Sequence, residues 1–217
     1  TGWPDHDASM PWGSSDGDVP DGVEVWRDDF ADPATPATGV DRVIAEHGRL
    51  DIVIATHARS ADGDLDSVTA DELDACFAVN VRSVVLLAQA FAAAHSPSPS
   101  GQPPCGRMMW FTSGQHLGPM PGELPYVVSK GALHQMTVSL SASLASAGIV
   151  ANCINPGPGD TGYADAATVA AVAQRFPDGR WGHPDDIADL VEFLASDRGA
   201  WIRGQVLNTE GGFDRFG

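Results

Sequence analysis

Short apolar runs of strand length alternate with longer helical patterns from residue 21 onward. That alternation restricts the chain more than any other feature, because it specifies an α/β fold built on a parallel sheet. The strand-type runs are VEVW (23–26), LDIVIAT (50–56), RMMWFTS (107–113), IVANCINPG (149–157) and, with a turn, GQVLNTEGG (204–212). Between them the spacing predicts a helix at about 35–47, a long one opened by the capping-box sequence TADE (69–72), one at about 125–147, and one over 183–196 with proline at its first position. In the long helix Leu73, Phe77, Val81, Val84, Leu87 and Phe91 recur at steps of three and four, which places them on one face. HSPSPSGQPPCG (95–106) is a loop by composition, and the segment 158–181 is expected to cover a substrate. Residues 1–22 carry no apolar periodicity and are expected to be irregular; 1–217 is expected to form a single domain.

The cations of this chain are eleven arginines and one lysine, Lys130, which follows Tyr126 by four residues in ELPYVVSKGAL. Residues four apart stack one helical turn above each other, so the predicted helix puts the two side chains on one face. A tyrosine hydroxyl has a pKa of about 10 in water and exchanges protons usefully near neutrality only if that value is pulled down, which a neighbouring positive charge does. A compact ammonium approaches the ring and also reaches the hydroxyls of a bound sugar, which the broad guanidinium fork does less well. Thirteen residues before Tyr126, Ser113 ends a strand at the C-terminal edge of the sheet, where open α/β folds hold their sites. A hydroxyl there holds a substrate oxygen while Tyr126 moves a proton.

Composition removes other classes. A net charge of −17 opposes a nucleic-acid backbone or an anionic membrane surface as partner. Cys76, Cys105 and Cys153 are widely separated, without metal-ligand spacing, and read as reduced thiols; no metal site is indicated. No apolar run approaches the roughly 20 residues of a membrane span, and the opening TGWPDHDASMPWG lacks the pattern of a signal peptide, so a cytoplasmic location is expected. The six tryptophans are too scattered for a stacking platform, and His116 reads as a surface or core residue.

With FAVNVRS, TSGQHLGPMPGELPYVVSKGA and NPGPGDTGY in this order, the sequence from about residue 21 onward resembles the short-chain dehydrogenase/reductase family, in particular members of the 3-oxoacyl-carrier-protein reductase type. The resemblance implies a Rossmann-type, doubly wound parallel sheet in three α/β/α layers, and hydride transfer between NAD or NADP and a small-molecule carbonyl or secondary alcohol. It implies four catalytic residues: Asn80 anchoring a proton-relay water, Ser113 orienting the substrate oxygen, Tyr126 as general acid/base, and Lys130 lowering its pKa. Tyr126 and Lys130 would also contact the nicotinamide ribose, Asp29 the adenine, and Pro156, Gly157 and Thr161 the nicotinamide carboxamide. A homodimer or homotetramer is expected, with helices 70–95 and 125–147 as the apolar interface.

Two departures from the family pattern keep other readings open. The glycine-rich pyrophosphate turn is absent from the chain; with TGW (1–3) as the end of the family's second strand, roughly 30 to 40 residues containing that turn are expected upstream, given the size of a βαβ unit. The family's Asn-Asn-Ala-Gly turn falls on Ala55, Thr56, His57 and Ala58, without its asparagines. A non-catalytic relative that has lost dinucleotide binding, and cofactor-independent acid/base chemistry on the same fold, therefore stand beside the oxidoreductase. The acidic Asp5 and Asp7 favour NAD by repelling a 2′-phosphate, while the likeness to reductases favours NADP.

Overall fold

The computed structural model describes residues 21–99, 102, 105–160 and 164–216. Four strands, β1 (Ile52–Ala55), β2 (Gly106–Phe111), β3 (Ile149–Asn155) and β4 (Val206–Asn208), form one parallel sheet in the order β1-β2-β3-β4. Sequential parallel order requires a crossover between each pair, and it is the arrangement of one half of a doubly wound sheet. β3 is buried along its whole length and β2 nearly so, as expected of strands covered on both faces.

Alternation along the strands divides the core in two. Met108 and Trp110 of β2, with Ala151 and Cys153 of β3, face helices on one side; Met109 and Ile154 face Leu194 on the other. The first side is covered by α1 (Thr35–His47), by α2 (Ala70–Phe77) continuing through a π-helical turn (Ala78–Arg82) into α3 (Ser83–Ala94), and by α4 (Leu124–Leu144). On the second side lies α6 (Pro184–Ala195). Thr69 caps α2 by accepting the Glu72 N–H at 3.2 Å, as the capping-box spacing predicts. The segment Ala70–Ala94 is long and apolar enough, by length and composition, to cross a bilayer, although Asp71, Glu72, Asp74 and Arg82 interrupt its apolar run. Here it is a core helix, with Val81, Val84, Ala88 and Phe91 packed on the sheet.

One expectation needs correction. VEVW forms no strand: Val23 and Val25 are 54% and 55% exposed, and no described strand lies beside them. Local β-propensity makes a strand only where a ladder partner accepts its N–H and C=O groups. Within 158–181 lies a short helix, α5 (Ala166–Ala173), capped by Asp165. Cys76 and Cys153 are buried, Cys105 is half-buried, and all three are unbridged.

Candidate active site

The C-terminal edge of the sheet carries a cavity of about 690 Å³ whose walls include Ser113, Tyr126, Lys130, Pro156, Gly157 and Arg215. Its geometry starts from the way α4 is tied to β2. Trp110 Nε1 donates to Leu133 O at 3.3 Å, Thr112 Oγ1 donates to Lys130 O at 2.8 Å, and Lys130 Nζ donates to Phe111 O at 2.8 Å. These bonds hold the tyrosine face of the helix against the strand end that carries Ser113. Lys130 is 3% exposed, and its ammonium lies 5.4 Å from the centre of the Tyr126 ring. Burial disfavours the charged ammonium and lowers its pKa to about 8. The other two N–H groups of Lys130 have no hydrogen-bond partner among the described residues.

On the opposite wall, Asn155 Oδ1 accepts the Gly157 N–H at 3.1 Å and fixes the turn after β3. Gly157 adopts φ 66°, and a Cβ there would stand 2.7 Å from Glu210 Cα, so the position admits only glycine without rearrangement. Gly159 also lines the cavity, while Thr161 lies outside the described residues.

Asn80 occupies the π turn, is fully buried, and does not line the cavity. Its Oδ1 accepts the Arg59 N–H at 2.6 Å; its Nδ2 donates to Arg59 O at 3.0 Å and to Ser129 Oγ at 2.8 Å. Ser129 Oγ in turn donates to Tyr126 O at 2.7 Å. The carboxamide thus joins the loop after β1 to the turn of α4 that carries Tyr126. The Arg59 guanidinium adds a bidentate pair with Glu72 at 2.6 and 2.9 Å on the same loop. Asp29 stands apart from the cavity: its carboxylate accepts the Ala31 N–H at 2.8 Å and its carbonyl accepts from Thr35 Oγ1 at 2.6 Å, both at the approach to α1.

His57, in the position where the family pattern has no histidine, is structurally engaged. Its Nε2 lies 2.7 Å from Ser83 Oγ, whose single proton goes to Val79 O; Nε2 is therefore assigned as the N–H donor. The ring stacks on Phe30 at 3.9 Å with an interplanar angle of 8°. Burial, and then the Lys130 charge, lower its pKa to about 4. An unfolded chain protonates this imidazole near pH 6.5, so the stability it contributes is full above that pH and is lost as pH falls toward 4. The loss expected is about 3 kcal/mol, from 2.5 × 1.36. Urea unfolding of the protein and of His57→Asn at pH 7 and pH 4.5 checks this: only the former should show the drop, and equal pH dependences would reject it.

Among the residues lining the cavity, Met120, Glu123 and Arg215 were not singled out by the sequence as site residues. Met120 and Glu123 come from the loop before α4, and burial followed by Asp62 raises the Glu123 carboxyl above its ordinary value. Arg215 arrives from the C-terminal tail.

A family model described as enoyl-(acyl carrier protein) reductase matches residues 18–214. An uncharacterized oxidoreductase of Bacillus subtilis, YjdA, is 41% identical over 192 residues, covering 88% of this chain and 75% of that protein. The 3-oxoacyl-[acyl-carrier-protein] reductase FabG of Salmonella typhimurium is 31% identical over 186 residues, covering 83% and 73%. Among solved structures, a short-chain dehydrogenase of Burkholderia cenocepacia in complex with NADP superposes with a TM-score of 0.76 at 34% identity, covering 86% of this chain and 74% of that one.

Proposed function

This chain belongs to the short-chain dehydrogenase/reductase family of oxidoreductases, and from that premise we propose that it interconverts a small carbonyl compound and the corresponding secondary alcohol with NADP(H). The observation that carries the reading is the buried Lys130 ammonium in a wall shared with Tyr126 and Ser113, with two of its N–H groups left for a ligand.

The residues present fit the nicotinamide-ribose half of a dinucleotide. Lys130 offers donors to sugar hydroxyls, and the glycine at 157, which lets the turn pack directly on Glu210, stands where Pro156, Gly157 and Thr161 would hold the carboxamide. Asp29 would meet the adenine end. NADP is favoured over NAD because the Burkholderia relative was solved with NADP. When bound, the nicotinamide supplies or accepts the hydride at the substrate carbon.

The chain's own groups manage the oxygen. Ser113 Oγ hydrogen-bonds the substrate oxygen and holds it beside Tyr126. The Tyr126 hydroxyl gives its proton to that oxygen in reduction and takes it back in oxidation. Lys130, one helical turn away, favours the phenolate and brings the tyrosine pKa toward the working pH. Asn80 acts as a positioning residue, because its carboxamide sets Ser129 and, through it, the Tyr126 turn. The working unit is a homodimer or homotetramer, a reading supported by exposed apolar side chains along α2–α3 (Phe77, Val85) and α4 (Val128, Val138).

The deciding experiment is titration of the chain with NADPH and then NADH, followed by tryptophan fluorescence, on a species whose mass sedimentation has defined. Saturable micromolar binding, tighter for NADPH, is expected on a dimer or tetramer. A flat response at millimolar cofactor would sink the redox reading in favour of a non-catalytic relative, and a single monomeric boundary would sink the oligomer.

A further inference from the structure

The C-terminal tail reaches back over the cavity and meets the turn that carries Ser113. Arg215 is its contact: a Cβ built on Gly114 would stand 1.7 Å from Arg215 Nη2 and 2.2 Å from Cζ, and one on Gly118 would stand 3.0 Å from Cδ. Side chain and turn thus occupy touching volumes, and the bare backbone of Gly114 is what admits the guanidinium. The Arg215 side chain is 85% buried, from a relative exposure of 15%. A cation so enclosed needs a fixed partner. Glu210 supplies it: the Arg215 Nε–H donates to Oε2 at 3.1 Å, and Nη2 donates to Oε1.

Glu210 is itself held from the sheet. Asn155, at the end of β3 and fully buried, donates from Nδ2 to Glu210 Oε1 at 2.8 Å and to Asn208 Oδ1 at 2.9 Å. The tail is pinned again beyond it, where Asp214 N–H donates to Arg175 O at 2.8 Å and Arg175 Nε donates to Asp214 O at 2.8 Å. The rings of Phe213 and Phe176 lie 5.0 Å apart beside these bonds. A continuous chain of contacts therefore runs from β3 through Asn155, Glu210 and Arg215 to Gly114, the residue after Ser113. On its other side the same turn is held by Gln115, whose Oε1 accepts the Ser113 N–H at 3.2 Å and whose Nε2 donates to Thr112 Oγ1 at 3.1 Å.

We propose that Arg215, locked by Glu210, is a positioning residue of the reaction, which clamps the Ser113–Gly118 turn from the C-terminal tail and so fixes where the Ser113 hydroxyl meets the substrate oxygen. The inference rests on the oxidoreductase reading for its kinetic consequence but not for its structural one. A hydroxyl displaced by about 1 Å loses alignment with the reacting oxygen and costs as much as about 100-fold in rate. The effect of losing the clamp passes through Ser113, so the two residues form one functional unit and their deletions do not add.

The test is Arg215→Ala alone and in a Ser113→Ala background, with Glu210→Gln as a second variant that loosens the guanidinium without removing it. Amide hydrogen exchange reads the clamp directly. Leu117 and Gly118, whose N–H groups donate to Gly114 O at 2.9 and 3.2 Å, should exchange about 10-fold faster in Arg215→Ala, while Cys153 in β3 should not change. In turnover, Arg215→Ala should lower kcat by about 10- to 30-fold with the cofactor Kd unchanged, Glu210→Gln should lower it less, and neither should add to Ser113→Ala. Unchanged exchange at Leu117 and Gly118 would overturn the clamp, and a full additional loss in the Ser113→Ala background would overturn its action through Ser113. If the wild-type protein shows no turnover, the exchange measurement still decides for or against the clamp, which separates failure of this inference from failure of the redox assignment.

Discussion

Tyr126→Phe is expected to lower kcat by about 1,000-fold while leaving the Kd for NADPH within about twofold, because general acid/base transfer by a positioned side chain contributes about 10²- to 10⁴-fold. The substitution removes one hydroxyl and keeps the ring, and with it the packing beside Lys130, whose ammonium lies 5.4 Å from the ring centre. The backbone carbonyl of residue 126 also remains to accept from Ser129 Oγ, so the turn of α4 stays in place. Cofactor binding thereby separates loss of chemistry from loss of structure. Steady-state turnover and a fluorescence titration on one preparation make the comparison; a variant that turns over at the wild-type rate would remove Tyr126 from the mechanism.

The second large effect has opposite signs for activity and stability. Lys130 titrates at about 8 in the folded protein against 10.5 for a lysine side chain in water, with burial as the first cause. A depressed pKa means that the favourable contribution of this group exists above pH 10.5 and is lost as pH falls through 8. At neutral pH the buried ammonium therefore costs the fold about 3 kcal/mol, from 2.5 × 1.36. Lys130→Met retains the length and apolar stem and removes the charge, and it leaves the Phe111 carbonyl without its 2.8 Å donor, a loss of about 1 kcal/mol. The variant should be more stable than the native protein at pH 7 by about 2 kcal/mol, with the advantage gone by about pH 10.5, and its kcat should fall at least about 100-fold. Denaturant midpoints at the two pH values check the first claim and turnover the second. A Met variant less stable than wild type at pH 7 would show that the buried lysine is structural.

The placement of these two residues on one wall of the cavity was legible in the sequence. Tyr126 and Lys130 were recognisable because their relation is local: four residues on one helix place two side chains together whatever surrounds them. Ser113 followed from a strand end, and the strand-helix alternation from periodicity, both of which are properties of adjacent residues. Asn80 stood out by its setting in FAVNVRS, but its three carboxamide hydrogen bonds to Arg59 and Ser129 depend on a loop 21 residues earlier and a helix 49 residues later. VEVW shows the converse failure, since its composition favours a strand and no strand among the described residues pairs with it.

The local order of the chain determined the parallel α/β class, the approximate limits of the main helices, and the tyrosine-lysine pair with its serine, because helix and strand periodicity, capping and one-turn spacing act over a few residues. Only the tertiary structure decided which distant segments share the cavity: that Arg215 lies on Gly114 and is held by Glu210 and Asn155, that His57 is a neutral donor to Ser83, and that Lys130 is buried deeply enough to titrate at about 8. Those outcomes depend on desolvation and on contacts between residues far apart in the chain, quantities that have no value until the sheet has formed and brought the ends of β2 and β3 together.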